Sequence, residues 1–425
     1  MIPRGLILKR IGIKSPLWAK LRLHLLRRFC LEVVMQSHRF QSLVILVGLF
    51  TLSACSSTPP TPPPVKLTQI NSFESYTLES PEEIFTLSDN LKQQLQNHLK
   101  SQQSAQALAH SILSFLLKNG DDSLSYQSGA TLTASQTFKN LNANCLSLSI
   151  LAYSLADYLG IKARFNKVHI PEYWALNNGF NLLTGHINLS IDIAIEPSNQ
   201  SVFVYQGKKR LTIDFDPNSR QARFKTTPIS KQIITAMFYN NKGAIALVNK
   251  QYDLAYNYFS HAVKVDPNFS AGWGNLGVLF RQSNYLTEAE KAYNHAILLN
   301  QNNNTAQGNL AVLYQLTGRS QLGSDILNKL HIKRQNNPYY YISLGNTEFE
   351  QSNFALALAH YKKAYSLSPS LHESHFGQAR VYFKWGNTQK ATYHLKQAGK
   401  KADFLHDKKR YESKLDTLLS LTAKL

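Results

Sequence analysis

Residues 133–165 read TASQTFKNLNANCLSLSILAYSLADYLGIKARF, and a change of rhythm inside this stretch sets the fold class of the first half of the chain. From Cys145 onward the apolar residues recur at helical spacing until Gly160 closes the run, which predicts a helix beginning at the cysteine. Beyond Gly160 the period falls to two. KARFNKVHI (162–170), HINLSIDIAI (186–195), SVFVYQ (201–206) and RLTIDFD (210–216) alternate as strands, with EPSNQ (196–200) and QGKK (206–209) as turns. Upstream, SPEEIFTLSDNLKQQLQNHL (80–99) opens a helix with Ser80 as cap, Pro81 in the first turn and Glu83 completing a capping box. SAQALAHSILSFLLKNG (104–120) is a further helical stretch that stops at Gly120. Helices first and an antiparallel sheet second define an α+β domain, placed at residues 67–235.

Downstream the chain repeats. Units of 34 residues start at Ala236, Ser270, Asn304, Pro338 and His372 without an inserted residue, the period of tetratricopeptide repeats. The expected architecture is five such units over 236–403, forming an all-α solenoid, with a capping helix over 404–425. Gly243, Ala255, Phe259 and Ala262 in the first unit correspond to Gly277, Ala289, Tyr293 and Ala296 in the second and to Gly345, Ala357, Tyr361 and Ala364 in the fourth. The third unit is degenerate, with Gly323 at a position that holds Ala elsewhere; the fifth has Ala379, Ala391 and Ala398. Such an array offers a groove to a protein or peptide partner. The inner positions, among them Asn240, Asn241, Gly274, Asn275, Ile342 and Ser343, lack the pattern that clamps a C-terminal carboxylate. Arg281 and Arg380 read as solvated charges on helical faces.

The 425 residues are 43% hydrophobic and 17% charged, a globular composition, with a formal charge of +20. Residues 1–55 carry nine of the basic residues and one acid, so the remainder keeps 37 basic against 25 acidic residues, a net of +12. That balance favours anionic lipid, polysaccharide or acidic protein as a neighbour. With neither a compact Lys/Arg run in the mature chain nor a reading motif, no nucleic-acid partner is expected. SLVILVGLFTLSAC (42–55) has the short apolar run and small-residue end of an export signal, in a leader over 1–55 that starts at Met1 or Met35. Leu52-Ser53-Ala54-Cys55 resembles the lipobox of bacterial lipoproteins, which implies lipidation at Cys55 and a membrane anchor. SSTPPTPPPVK (56–66) follows as a stiff tether. Ser56 replaces the aspartate that marks inner-membrane retention, so the expected location is the cell envelope, periplasm-facing, at the outer membrane.

Of three cysteines, Cys30 and Cys55 lie in the leader, which leaves Cys145 without an internal disulfide partner in the mature chain. A helix starting at a cysteine supplies N–H groups and a positive dipole end that favour thiolate, the form that attacks a carbonyl carbon. Such a nucleophile needs a base and an orienting group. His186 begins one strand, while Asp214 and Asp216 lie on one face at the end of another. Asn144 would cap the helix or help hold an oxyanion; His169 reads as structural.

TLTASQTFKNLNANCLSLSILAYSLADYLGIKAR, GHINLSI and LTIDFDP together resemble the Cys, His and Asp segments of the transglutaminase-like superfamily, whose fold is papain-like. Gly160 to Arg164 matches the family's GI-x-AR turn. The resemblance implies Cys145 as nucleophile, His186 as general base and Asp214 as orienting residue, with Asp216 as the alternative. It implies thiol acyl chemistry on an amide, with no metal and no cofactor; hydrolysis is expected ahead of cross-linking because an aqueous periplasm offers far more water than positioned amines. The competing expectation is a non-catalytic envelope scaffold that uses the same fold and repeats to gather partners.

Overall fold

The computed structural model describes residues 72–99, 105–118, 125–126, 130–140, 142–177, 180–193, 209–215, 224–402 and 405–422. All of them belong to one compact unit, residues 64–425. The leader, Cys55, the tether, Asp216 and the strand expected at 201–206 lie outside the described residues.

Helix α1 (Pro81–Phe85) opens with the capping box: Ser80 Oγ accepts from Glu83 N–H, and the Glu83 carboxylate accepts from Ser80 N–H at 2.6 Å. The helical stretch then breaks at residues 86–88 and restarts as α2 (Asp89–His98) under a second cap, Ser88. Helix α3 (Ala105–Lys118), the short strand β1 (Ser125–Tyr126), α4 (Ala134–Asn140) and β2 (Asn142–Ala143) lead to α5 (Cys145–Tyr158). Gly160, at φ +69°, ends α5; its N–H and that of Ile161 bond back to Asp157 and Ala156 carbonyls, a closure that costs a side-chain-bearing residue more.

Four strands then form an antiparallel sheet in the order β5-β4-β3-β6: β3 (Ala163–Asn177), β4 (Phe180–Ile193), β5 (Lys209–Ile213) and β6 (Thr226–Ile229). Two features depart from the sequence reading. Strand β3 does not end at Ile170 but continues through Pro171, with a register shift between Val168 and Tyr173, so β3 and β4 form a long arm. Strand β6 carries Pro228 and sits at the sheet edge, where the missing N–H is tolerated. Alternation puts Phe165, Ile187, Leu189, Ile191 and Ile213 on one buried face, and the Phe165 ring stacks on Tyr153 of α5 with centroids 4.6 Å apart.

The solenoid follows as helix pairs: α6 (Lys231–Val248) with α7 (Tyr252–Val265), α8 (Ser270–Gln282) with α9 (Leu286–Leu299), α10 (Asn304–Leu316) with α11 (Ser320–Arg334), α12 (Pro338–Glu350) with α13 (Phe354–Leu367), and α14 (His372–Lys384) with α15 (Thr388–Lys401). Helix α16 (Leu405–Thr422) packs on the end through buried Tyr411 and Leu418. The turn inside each pair uses one left-handed residue, Lys250, Asn284, Gly318, Ser352 and Gly386, again 34 apart. Fully buried rings fill the space beside small residues: a Cβ on Gly277 would stand 2.5 Å from the Tyr293 ring. In the third unit, glycine is needed at 323, because a Cβ there would approach the Ala311 carbonyl to 2.7 Å.

The core of the α+β region does not stop at the first repeat. Ile234, Phe238 and Tyr239 of α6 and Tyr258 and Ala262 of α7 join the cluster that contains Ile84, Leu91, Ile112, Leu151 and Leu189. An extended strap, residues 72–79, lies across the same repeat. Asn257 accepts from Tyr76 N–H and donates to the Glu74 carbonyl at 2.6 Å, while Phe73 stacks on Tyr256 at 4.5 Å. Among the described residues, no helix is long and apolar enough to cross a membrane.

Candidate active site

Asn144 sets the start of α5. Its Oδ1 accepts from the Ser147 backbone N–H at 2.9 Å and from Ser147 Oγ at 3.0 Å, while Nδ2 donates to Thr131 Oγ1 at 2.8 Å. Ser147 Oγ also accepts from Leu132 N–H and reaches the Ala130 carbonyl. The side-chain amide is thereby committed to capping and to the loop before α4, and Cys145 is held at the first position of the helix.

The sheet brings the other groups. Leu189 of β4 pairs with Ile213 of β5, so one step further along the ladder Asp214 falls opposite Asn188, with His186 diagonal to it on the same face. His186 Nε2 and Asp214 Oδ1 are 2.8 Å apart, and Asn188 Nδ2 donates to Asp214 Oδ2 at 3.2 Å. Asn188 is in turn held by Asn166 Nδ2, which donates to Asn188 Oδ1 at 3.0 Å and to Ser190 Oγ at 2.6 Å. The Cys145 thiol is the second hydrogen-bonding partner of His186. Cys145 from the helix and His186 and Asp214 from adjacent strands are therefore brought together.

Burial shapes the electrostatics. His186 is 3% exposed and Cys145 7%, whereas the Asp214 side chain is 19% exposed and marks where the three meet solvent. Burial alone pulls the His186 pKa down, but the hydrogen bonds to Asp214 and Cys145 and the charges of both outweigh it, holding the imidazole up to about 10. At neutral pH the ring is therefore an imidazolium between two acidic groups. Asn188 was not singled out from sequence; its signal was there, two residues beyond His186 on the same strand face. His169 stands apart from these three, its Nε2 3.1 Å from Thr227 Oγ1 across β3 and β6. Among the described residues, no group of three or more His, Cys, Asp or Glu could hold a metal ion.

Residues 238–269 and 271–303 match the family model described as tetratricopeptide repeat, and the C-terminal helix pairs are repeats of this class. No curated protein matches the chain. Similar solved structures include YrrB, titled a TPR protein with an unusual peptide-binding site, at 14% identity and TM-score 0.24, covering 42% of this chain and 92% of that one. MamA from Desulfovibrio magneticus RS-1 is 15% identical with TM-score 0.24, covering 39% and 93%. The Cut9–Hcn1 hetero-tetramer of APC/C is 20% identical with TM-score 0.29, covering 45% and 37%.

Proposed function

We propose that this protein is a thiol acyl-transfer enzyme of the transglutaminase-like, papain-like class, with its repeats recruiting a protein or peptide partner. The observation that carries the reading is the meeting of Cys145, His186 and Asp214, with the imidazole held charged. In the proposed step, Cys145 sulfur attacks an amide carbonyl, and the developing oxyanion meets the backbone N–H groups at the start of α5. His186 gives its proton to the departing amine as the C–N bond breaks, leaving a thioester. Water then attacks, His186 takes its proton, and the C–S bond breaks to release the acid and restore the thiolate. Asp214 keeps Nε2–H in place throughout, and Asn188 steadies Asp214. Water is the expected acceptor ahead of an amine. The lipobox-like Leu52–Cys55 supports placement at the outer membrane, facing the periplasm, as a lipid-anchored protein.

The burial of Cys145 at 7% exposure favours a second reading, a scaffold that keeps the fold without turnover. Cys145→Ala separates the two. In the first reading it abolishes amide hydrolysis while circular dichroism and melting are preserved; in the second, every measurable function survives it and only loss of the repeats matters.

A further inference from the structure

The repeat array is interrupted in its middle. One buried apolar cluster runs from α6 to Leu313 of α10, with Ile326 of α11 at its margin, and the next begins at Tyr341 of α12. The third unit has Leu327, 36% exposed, where the second and fourth have the buried rings Tyr293 and Tyr361. At this junction the arm of β3 and β4 reaches the repeats. Glu172 accepts from Arg334 through both oxygens, from Nε at 2.7 Å and from Nη2 at 3.0 Å, and from Asn304 Nδ2 at 3.2 Å. Its backbone carbonyl accepts from Asn337 Nδ2 at 2.8 Å. Tyr173 meets Tyr339 edge to face at 4.8 Å, and the Arg334 guanidinium lies 5.0 Å from the Trp174 ring.

These contacts have the composition of a peptide site. A forked cation grips a carboxylate, an asparagine grips the main chain of the same residue, and an aromatic platform takes the next side chain. Arg334 is 12% exposed and Glu172 25%, so the pair is shielded more than a surface ion pair would be. We infer that the junction of the third and fourth repeats is a binding site for an extended acidic–aromatic peptide, which this chain fills in cis with Glu172, Tyr173 and Trp174. A partner presenting a Glu-Tyr-Trp-like strand must displace the arm to bind here. The inference rests on reading the repeats as a peptide-binding module; it does not depend on catalysis at Cys145.

The probe is a fluorescein-labelled peptide of residues 168–177, VHIPEYWALN, titrated by anisotropy against the full chain, against Glu172→Ala/Tyr173→Ala, and against that double variant with Arg334→Ala added. A tethered occupant acts at an effective concentration near millimolar, so the wild type competes against the probe and the opened variant does not. The double variant should bind at least tenfold tighter than the wild type, and Arg334→Ala should remove that gain. Equal binding to wild type and double variant, or indifference to Arg334→Ala, overturns the inference. Should the double variant misfold, hydrogen exchange of residues 170–176 in the unaltered chain answers the same question. Millimolar peptide should raise it, and unchanged exchange counts against the site. Either failure leaves the repeats free to bind a different partner, which capture on the rest of the groove would show separately.

Discussion

Replacing Asp214 with Ala removes the carboxylate 2.8 Å from His186 Nε2 and leaves the buried imidazole with Cys145 as its remaining hydrogen-bonding partner. In the wild type the ring is held near pKa 10, so at pH 8 it is almost wholly protonated. Without Asp214, burial pulls the value down. Taking the unperturbed figure of about 6.5, about 3% of the rings are protonated at pH 8, roughly a thirtyfold loss of imidazolium beside Cys145, or about 2 kcal/mol. The assay is alkylation by iodoacetamide, followed on the Cys145 peptide by mass spectrometry from pH 5 to 10, with the unfolded chain as reference. The expected result is a slower pseudo-first-order rate at pH 8 in the variant, by no more than about thirtyfold, with no change in the unfolded reference. Superimposable pH–rate curves for the two proteins would refute the argument, since they would mean that His186 charge does not govern the thiol.

The same imidazole makes a stability prediction with a definite sign. Its folded pKa lies above the unfolded value of about 6.5, so its contribution is complete below pH 6.5 and is lost as pH rises through about 10. The melting-temperature gap between wild type and His186→Gln should therefore be widest below pH 6.5 and shrink towards pH 10; a constant gap would contradict it. In the repeats, Gly308→Ala should stabilise by about 0.5–1 kcal/mol, because its nearest neighbour would be Leu330 at 3.6 Å and the helix gains propensity. Gly277→Ala should instead cost about 1–2 kcal/mol net, with the new methyl 2.5 Å from Tyr293; urea unfolding of both variants checks the opposite signs. Tyr361→Ala, which empties a fully buried site flanked by Gly345 and Gly377, should cost about 3–5 kcal/mol by the same measurement.

The repeats were legible because their helices must meet at the same places every 34 residues, which forces small and aromatic residues into phase. The sheet was only partly so. Pro171 ends a strand in a reading based on alternation, yet a register shift carries β3 past it, and the arm that results depends on Arg334 and Asn337, about 165 residues away. Strand β6 is four residues long and contains Pro228, so neither length nor composition announces it. At the site, the placement of a cysteine at a helix start could be read locally. Which aspartate meets His186 depends on the β4–β5 register, where the pairing of Leu189 with Ile213 puts Asp214 within reach.

The strap over residues 72–79 bears on the order in which the chain is made. It leaves the ribosome early, but the side chains that grip it, Asp253, Asn257 and Tyr258, follow about 180 residues later. Ile234, Phe238 and Tyr258 complete the core around Cys145's helix from the same late segment. The first half of the protein therefore has no finished interior to fold around until synthesis has passed residue 262, and a nascent chain arrested earlier presents its unfilled apolar surfaces to chaperones and proteases.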